Sequence, residues 1–383
     1  MTIRKFKFHD KLRGWKLNEV SFGNFNLLVG LSGVGKSQII EKLNSICHVG
    51  LTSQKEDVYD CEWKLDISIE GFNYIWEVAM SSVDRDRNDI HLIGAYDVPY
   101  FIKEKVICNG EEIVSRSKDK FLWSKDSLPK LSKNESAITL LRDEDIISPL
   151  YKALKYFIFR QISSFIQPFD KSSIKRLRHN YPTLDSLRRA KDVIWYVKAY
   201  ILQEDYPSEF ELIKEQYKEI FKISDIKIGT MRELEPLGFQ IGLPIQQEWF
   251  AVGIKEFAMS DWITNNRISS GMLKTLLYLL EIYFAPKGSV IMIDDFENSM
   301  GQNCLPQLTD YILRYSNDIQ FILTSHHPYV INNIPTKWWK IVTRKGSEVT
   351  VKDADSIPAL KTGSKLDKFT LLMNLKEYEE GIQ

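Results

Sequence analysis

The chain has 383 residues with 51 Lys plus Arg against 51 Asp plus Glu, so no global field recruits nucleic acid and any polyanion site is local. Hydrophobic residues make up 44% and charged residues 27%, and no apolar run approaches the roughly 18 residues that cross a bilayer, which excludes membrane insertion. The length exceeds what one core usually supports, predicting one large domain with insertions or two lobes.

Residues 1–10 hold no apolar signal core, and Cys47, Cys61, Cys108 and Cys304 lack metal-ligand spacing; both predict a reduced, cytoplasmic protein. Ile3, Phe6 and Phe8 alternate as in a strand, a turn follows at Gly14 and Trp15, and Leu17, Val20 and Phe22 resume the pattern, predicting a β-hairpin. It leads into a buried-type run, Phe25 to Val29, followed by Gly30-Leu31-Ser32-Gly33-Val34-Gly35-Lys36-Ser37 and a helix-like run from Gln38 to Ile46. All fixed positions of the GxxxxGK[ST] phosphate loop are filled between a strand and a helix, as its mechanics require. Glycines let backbone N–H groups curl around β- and γ-phosphates while the helix adds its positive end. The spacing assigns triphosphate binding to Gly30, Ser32, Gly33, Val34, Gly35, Lys36, Ser37 and Gln38. Ser37 is also a Mg²⁺ ligand in this scheme.

Alternation around Gly71 over residues 62–80, and around Asn109-Gly110 over Lys105 to Val114, predicts an antiparallel sheet beside the nucleotide lobe. From about 146 to 222 the pattern is helical, broken by Pro168 and Pro182, with long segments at Leu187 to Leu202 and Glu209 to Phe221. Strand patterns return at Ile223 to Ile228, Phe239 to Ile241 and Trp249 to Ile254. Ile268-Ser269-Ser270-Gly271-Met272 opens an apolar helix, so Ser269, Ser270 and Gly271 crown a second helix start fit for an anion.

Ser289 to Glu297 reads as an apolar strand ending in acids. Ligands of a doubly wound sheet lie beyond the carboxyl ends of its strands. Asp294 is therefore the Mg²⁺ carboxylate, and Asp295 or Glu297 orients or deprotonates the attacking water. An acid-capped strand alone is weak evidence; with the phosphate loop upstream it is strong. Phe321 to Thr324 is another strand, running into Ser325-His326-His327-Pro328, where His326 is placed to donate to a γ-phosphate. A strand pair (Ile341 to Thr343, Val349 to Val351) and a short helical tail close the chain. Trp338-Trp339 reads either as a buried strand-end pair or as a partner-docking site.

In this order the four motifs look like an ABC-type ATPase head. The predicted fold is α/β, a P-loop NTPase with a mixed or parallel core sheet, an antiparallel β lobe and a helical insert. The divisions are an N-terminal ATPase lobe at 1–145, the insert at 146–222, and at 223–383 a C-terminal lobe with signature, Walker B and switch histidine. From Leu28-Val29-Gly30 through Ile293-Asp294-Asp295-Phe296-Glu297-Asn298 to Thr324-Ser325-His326-His327-Pro328, the chain resembles the stand-alone ABC-class ATPases of the OLD, RecF and SMC-like group, of AAA_15 or AAA_21 type. That resemblance implies ATP and Mg²⁺ as cofactors, Asp295 in the catalytic carboxylate's place, and His326 in the switch histidine's. It also implies Ser269 and Gly271 as a signature completing the site of the opposite protomer, hence a homodimer. Asp295 replaces the usual Glu, and Ser270 and Met272 replace a glycine and a polar residue. Gln161 and Gln167 are the candidates for the Q-loop glutamine.

The 57 residues after His326 leave no room for an appended TOPRIM nuclease, so the resemblance points to a separately encoded effector, a nuclease, in an anti-phage system. Lys171, Lys175, Arg176, Arg178, Arg188, Arg189 and Lys191 form a basic stretch that is either a DNA-backbone contact or a solvated helix face. Two alternatives share the ATP motifs: the energising subunit of a membrane transporter, and an ATP-binding scaffold that barely hydrolyses.

Overall fold

The computed structural model describes residues 1–52, 58–81, 99–124, 126–127, 132–155, 157–159, 168–191, 193–235, 248–264, 267–360, 368–375 and 378. They fall into two compact units. The first comprises Met1–Arg160, Gly288–Phe296 and Ser316–Gln383; the second comprises Gln161–Lys287 and Glu297–Tyr315.

In chain order the first unit opens with strands β1 (Thr2–Asp10), β2 (Trp15–Ser21) and β3 (Phe25–Val29), then helix α1 (Lys36–Val49). Next come β4 (Cys61–Ile69), β5 (Phe72–Ser81), β6 (Tyr100–Cys108), β7 (Glu111–Arg116), β8 (Phe121–Trp123) and β9 (Asp126–Ser127). Helices α2 (Ala137–Leu140) and α3 (Ser148–Leu154) and strand β10 (Phe157–Phe159) follow. The second unit holds β11 (Pro168–Phe169), α4 (Lys171–Asn180), α5 (Leu184–Arg189), α6 (Trp195–Asp205) and α7 (Pro207–Phe221). It continues with β12 (Asp225–Thr230), α8 (Met231–Leu234), β13 (Glu248–Lys255), β14 (Ile263–Thr264) and α9 (Ser270–Phe284). The chain then gives β15 (Val290–Ile293) to the first unit and α10 (Leu305–Tyr315) to the second. It ends in the first with β16 (Gln320–Thr324), α11 (Pro328–Asn333), β17 (Trp339–Lys345), β18 (Glu348–Asp353) and α12 (Lys368–Met373).

One sheet of 14 strands carries the first unit, in the order β10-β15-β16-β3-β17-β18-β2-β1-β4-β5-β6-β7-β8-β9. The pairs from β10 through β17 are parallel, and those from β2 out to β9 are antiparallel. Composition follows topology: β3, β15 and β16 are buried at every position, as strands covered on both faces are. By contrast, β4 alternates buried and less buried residues, as a sheet with one wet face does. The core and the lobe meet where β18 runs parallel to β2 over only two register pairs, Glu348↔Lys16 and Val349↔Leu17.

Two buried polar side chains of the first unit are bonded across distant stretches, whereas the indole nitrogens of Trp15 and Trp63 are buried without a hydrogen-bond partner. Gln320 accepts from the Ile3 N–H at 2.8 Å and donates to the Ile3 and Gly23 carbonyls at 2.8 and 2.7 Å. Lys42 of α1 pairs with Asp10 at 3.4 Å, with both side chains buried. The lobe packs around Trp76 and Trp63, whose rings meet edge to face at 5.3 Å.

The hairpins expected around Gly71 and Asn109-Gly110 are formed. Trp15, expected in a turn, opens β2 and is buried. Two corrections concern the helical stretch. Phe157-Ile158-Phe159 is a strand, parallel to β15, because a three-residue apolar run carries no period and its partner strand decides its state. The helix expected over 187–202 is two helices, α5 and α6. The break is sealed by Lys198, whose ammonium donates to the Arg188 carbonyl at 3.1 Å, one of the acceptors a helix end leaves open. Phe239 to Ile241 lies outside the described residues.

Candidate functional site

Since β15, β16 and β3 run parallel as neighbours, the segments that follow them leave the sheet at one edge. The phosphate loop follows β3. Gly30 has no substitute there: a Cβ on it would sit 2.4 Å from the Val342 carbonyl oxygen of the adjacent strand. Gly35 caps α1 at φ 104, a conformation L side chains rarely adopt. Its carbonyl accepts from the Ile39 N–H at 3.1 Å, starting the helix. The 14-residue α1 carries no acid of its own in its first turn, so its positive end is turned to the loop. Val34 is fully buried beneath the loop, while Ser32, Gly33 and Gln38 are exposed and Ser37 is half-buried. The Lys36 ammonium is buried and donates to the Gly30 and Leu31 carbonyls, 2.9 Å each.

Asp294 is where the motifs converge. Its Oδ1 accepts from the Ser37 hydroxyl at 3.0 Å and from the Thr324 hydroxyl at 2.7 Å. Thr324 Oγ1 in turn accepts from the Asp295 N–H at 2.7 Å, and its carbonyl from the Phe296 N–H at 3.0 Å. Three segments about 30 to 290 residues apart in sequence therefore share one hydrogen-bonded knot. Asp295 takes φ 47, in the left-handed region. Among non-glycine residues Asp and Asn tolerate that region best, because short polar side chains bond locally. The two histidines are placed differently: His327 caps α11, its Nδ1 accepting from the Tyr329 N–H at 3.2 Å, whereas His326 is half-buried just beyond β16.

Ser269 and Ser270 are exposed at the tip of the 15-residue α9 in the second unit. The Ser269 hydroxyl is its N-cap, accepting from the Met272 N–H at 3.2 Å. Gly271 is required by a close approach, since a Cβ there would lie 2.8 Å from the Ser299 carbonyl. Lys274 fastens the same loop by donating to the Asn298 carbonyl at 2.6 Å. Glu297 is half-buried in this unit, and its carbonyl accepts from the Met300 N–H at 3.0 Å.

The remaining candidates are scattered. In the basic stretch Arg178 is bidentate to Asp205 at 2.7 and 2.8 Å, Arg189 pairs with Asp185 at 3.1 Å, and Arg188 lies 4.5 Å over the Tyr283 ring. Arg176 donates to Ser173 at 3.2 Å. Trp339 is fully buried in β17 and Trp338 packs on Phe25 at 5.1 Å. Gln161 and Gln167 lie outside the described residues.

Three residues at the loop escaped the motif reading. Thr324 is the hub of the Asp294 knot. Arg344 donates to the Gly33 carbonyl at 3.3 Å. Trp15 sits with its indole nitrogen 3.4 Å from where a Cβ on Gly35 would be. Thr324 stands inside a recognised motif and was open to a sequence signal; the other two meet the loop only through sheet pairing.

Among the described residues no group of three or more His, Cys, Asp or Glu is placed to hold a metal ion. None of their helices is long and apolar enough to cross a membrane.

No curated protein matches the chain. The Smc head bound to the C-winged helix domain of ScpA is similar at 12% identity, covering 92% of this chain and 97% of that one, TM-score 0.49. The SMC head domain from Thermotoga maritima matches at 12% identity over 92% and 99% of the chains, TM-score 0.41. The Smc head with an extended coiled coil bound to the C-terminal domain of ScpA, from Pyrococcus furiosus, gives 13% identity, 91% and 95% coverage, and TM-score 0.44. A family model described as "AAA domain, putative AbiEii toxin, Type IV TA system" matches residues 25–332. With most of its length matched in this way, and with a phosphate loop at the edge of a parallel sheet, the chain belongs to the AAA_21 family of AAA-domain ATPases.

Proposed function

We propose that the protein binds and hydrolyses ATP, pairs with a second copy of itself around the nucleotide, and so controls a nucleic-acid-directed effector, a separately encoded nuclease in an anti-phage defence system. The observation that carries this reading is the knot at Asp294, where the Ser37 and Thr324 hydroxyls meet one carboxylate oxygen. A hydroxyl beside a carboxylate is the hard-oxygen donor set that suits Mg²⁺, which keeps most of its shell as water and phosphate oxygen. Ser37 and Asp294 would hold the ion, and the ion's chemistry is to neutralise charge on the β- and γ-phosphates.

The protein's own groups supply the rest. Lys36 and the loop N–H groups grip the triphosphate. The Asp295 carboxylate, or alternatively that of Glu297, takes the proton of a water whose oxygen bonds to the γ-phosphorus as the bond to the ADP oxygen breaks. His326 donates to the γ-phosphate oxygens. An Asp side chain stops about 1.5 Å short of a Glu, so water is held less well and turnover is slow. The exposed Ser269 tip, with no acid in the first turn of α9, suits the γ-phosphate of the opposite protomer. The family's description as a type IV toxin–antitoxin toxin fits a conflict system in which nucleotide state is coupled to an effector. With Arg178 and Arg189 already paired, any DNA-backbone contact falls chiefly to Lys175 and Arg176.

Phosphate release and light scattering test the reading together. Lys36→Ala and Asp295→Asn should each lower release by about 10²-fold, and Asp295→Asn with ATP should run as a dimer that Ser269→Arg abolishes. Equal background release by all chains, or a monomer under every nucleotide condition, would overturn it.

A further inference from the structure

The second unit contains a cavity of about 770 Å³ that no part of the nucleotide site uses. That volume lies in the range of sites for ligands and peptide side chains. One wall is a face of α7, where Leu212, Glu215, Gln216 and Glu219 recur at helical spacing. The facing wall is aromatic: Tyr311 and Tyr315 of α10 stand one turn apart with ring centroids 4.9 Å apart and tilted by 50°. Tyr283 of α9 completes the lining.

The rings are fixed before anything binds. The Tyr311 hydroxyl donates to the Leu279 carbonyl at 3.3 Å, and the Tyr283 hydroxyl donates to Glu209. The lining is mainly acidic, and the Arg188 guanidinium already covers the Tyr283 ring at 4.5 Å. Lys218, the one cation on the lining, is paired with Glu211 at 3.5 Å. Neither Glu215 nor Glu219 makes an ion pair among the described residues, and both are exposed. Two carboxylates without an ion pair thus stand opposite the half-exposed ring of Tyr315, which the buried Tyr311 backs. The rim is apolar and open: Leu212 is 53% and Phe257 66% exposed. Exposed apolar rims around a groove mark contacts with another polypeptide more than enclosure of a small molecule.

We propose that this groove receives an arginine side chain presented by an apolar-flanked segment of a partner protein. A guanidinium stacks on a tyrosine face, here that of Tyr315, and forks onto carboxylates at the same time, which a compact ammonium does less well. The flanking apolar residues cover Leu212 and Phe257.

Panning the full chain against a library of short random peptides tests this before any partner is identified. Enriched peptides should carry arginine between apolar residues. A labelled peptide from that set should bind at least ~10-fold more weakly when its arginine is replaced by the isosteric, uncharged citrulline, and likewise to a Glu215→Gln, Glu219→Gln double variant. Both carboxylates are exposed, so an unchanged thermal melt separates lost recognition from lost folding. Tyr315→Ala should weaken binding similarly. No enrichment, an enriched set without arginine, or unchanged affinity for the double variant would each overturn the proposal.

Discussion

At Asp295 the backbone and the proposed chemistry make opposite demands. The position follows β15 in the left-handed region, its N–H tied to Thr324. A glutamate would carry its carboxylate about 1.5 Å further but would bear a left-handed penalty of roughly 1 kcal/mol that Asp and Asn largely avoid. Asp295→Glu is therefore expected to raise phosphate release and lower the thermal midpoint, read by a coupled phosphate assay and by calorimetry on one sample. Faster release with no loss of stability would show that the turn does not select the residue. The fixed positions of the phosphate loop were legible from spacing alone, because one short segment carries the pattern, and the acids ending β15 were legible in combination with that loop. The bonds of Thr324 to Asp294 and Asp295 join positions 29 or 30 apart, and no local pattern encodes them. The cap that His327 places on α11 was equally hidden, since it depends on where α11 starts.

Among elements, β6 and α2 depend on a buried carboxylate. Glu104 is fully buried and accepts from the Ser136 hydroxyl at 2.6 Å, the Ala137 N–H at 2.8 Å and the Trp76 indole at 3.2 Å. Arg116 is 3.6 Å away, itself donating to the Glu135 and Ser132 carbonyls at 2.6 and 2.7 Å. Glu104→Ala leaves the buried guanidinium without its counter-charge and should cost about 3 kcal/mol or more by urea unfolding. Burial pushes the Glu104 carboxyl above its usual range, against the lowering pull of Ala137, Ser136, Arg116 and Trp76. The folded chain then holds this proton at a pH where the unfolded chain has released it. The group's contribution is complete below the unfolded value and declines as pH rises through the folded one. Glu104→Gln should flatten that decline in denaturation midpoints measured from acid to neutral pH. Hairpins were the most legible elements, since Gly71 and Asn109-Gly110 sit between alternating runs. The strand Phe157–Phe159 was not, because only its neighbour β15 tells it apart from the helices around it.

For the molecule as a whole, balanced charge and four scattered cysteines left few expectations beyond a reduced state. All four cysteines are free and buried. Burial pushes the Cys61 thiol up to about 12, so almost no thiolate exists at neutral pH. The native chain should react with well under one equivalent of a thiol reagent at pH 8, and with four once unfolded in urea. Rapid labelling of the folded chain would mean that local opening exposes the lobe. What chain order concealed is the assembly of each unit from separated stretches: Glu297–Tyr315 joins Gln161–Lys287, and β15 is carried back to a sheet begun at Thr2. Contacts between distant stretches are set by which apolar faces can be buried together, and periodicity along the chain does not record them.

The pairing of β18 with β2 has a steric corollary at the phosphate loop. Val349 and Trp15, one at a rung and one a residue from the other, both abut Gly35. Any side chain added at Gly35 would therefore press on the join between the core strands and the outer strands, its Cβ falling 3.3 Å from Val349 and 3.4 Å from Trp15.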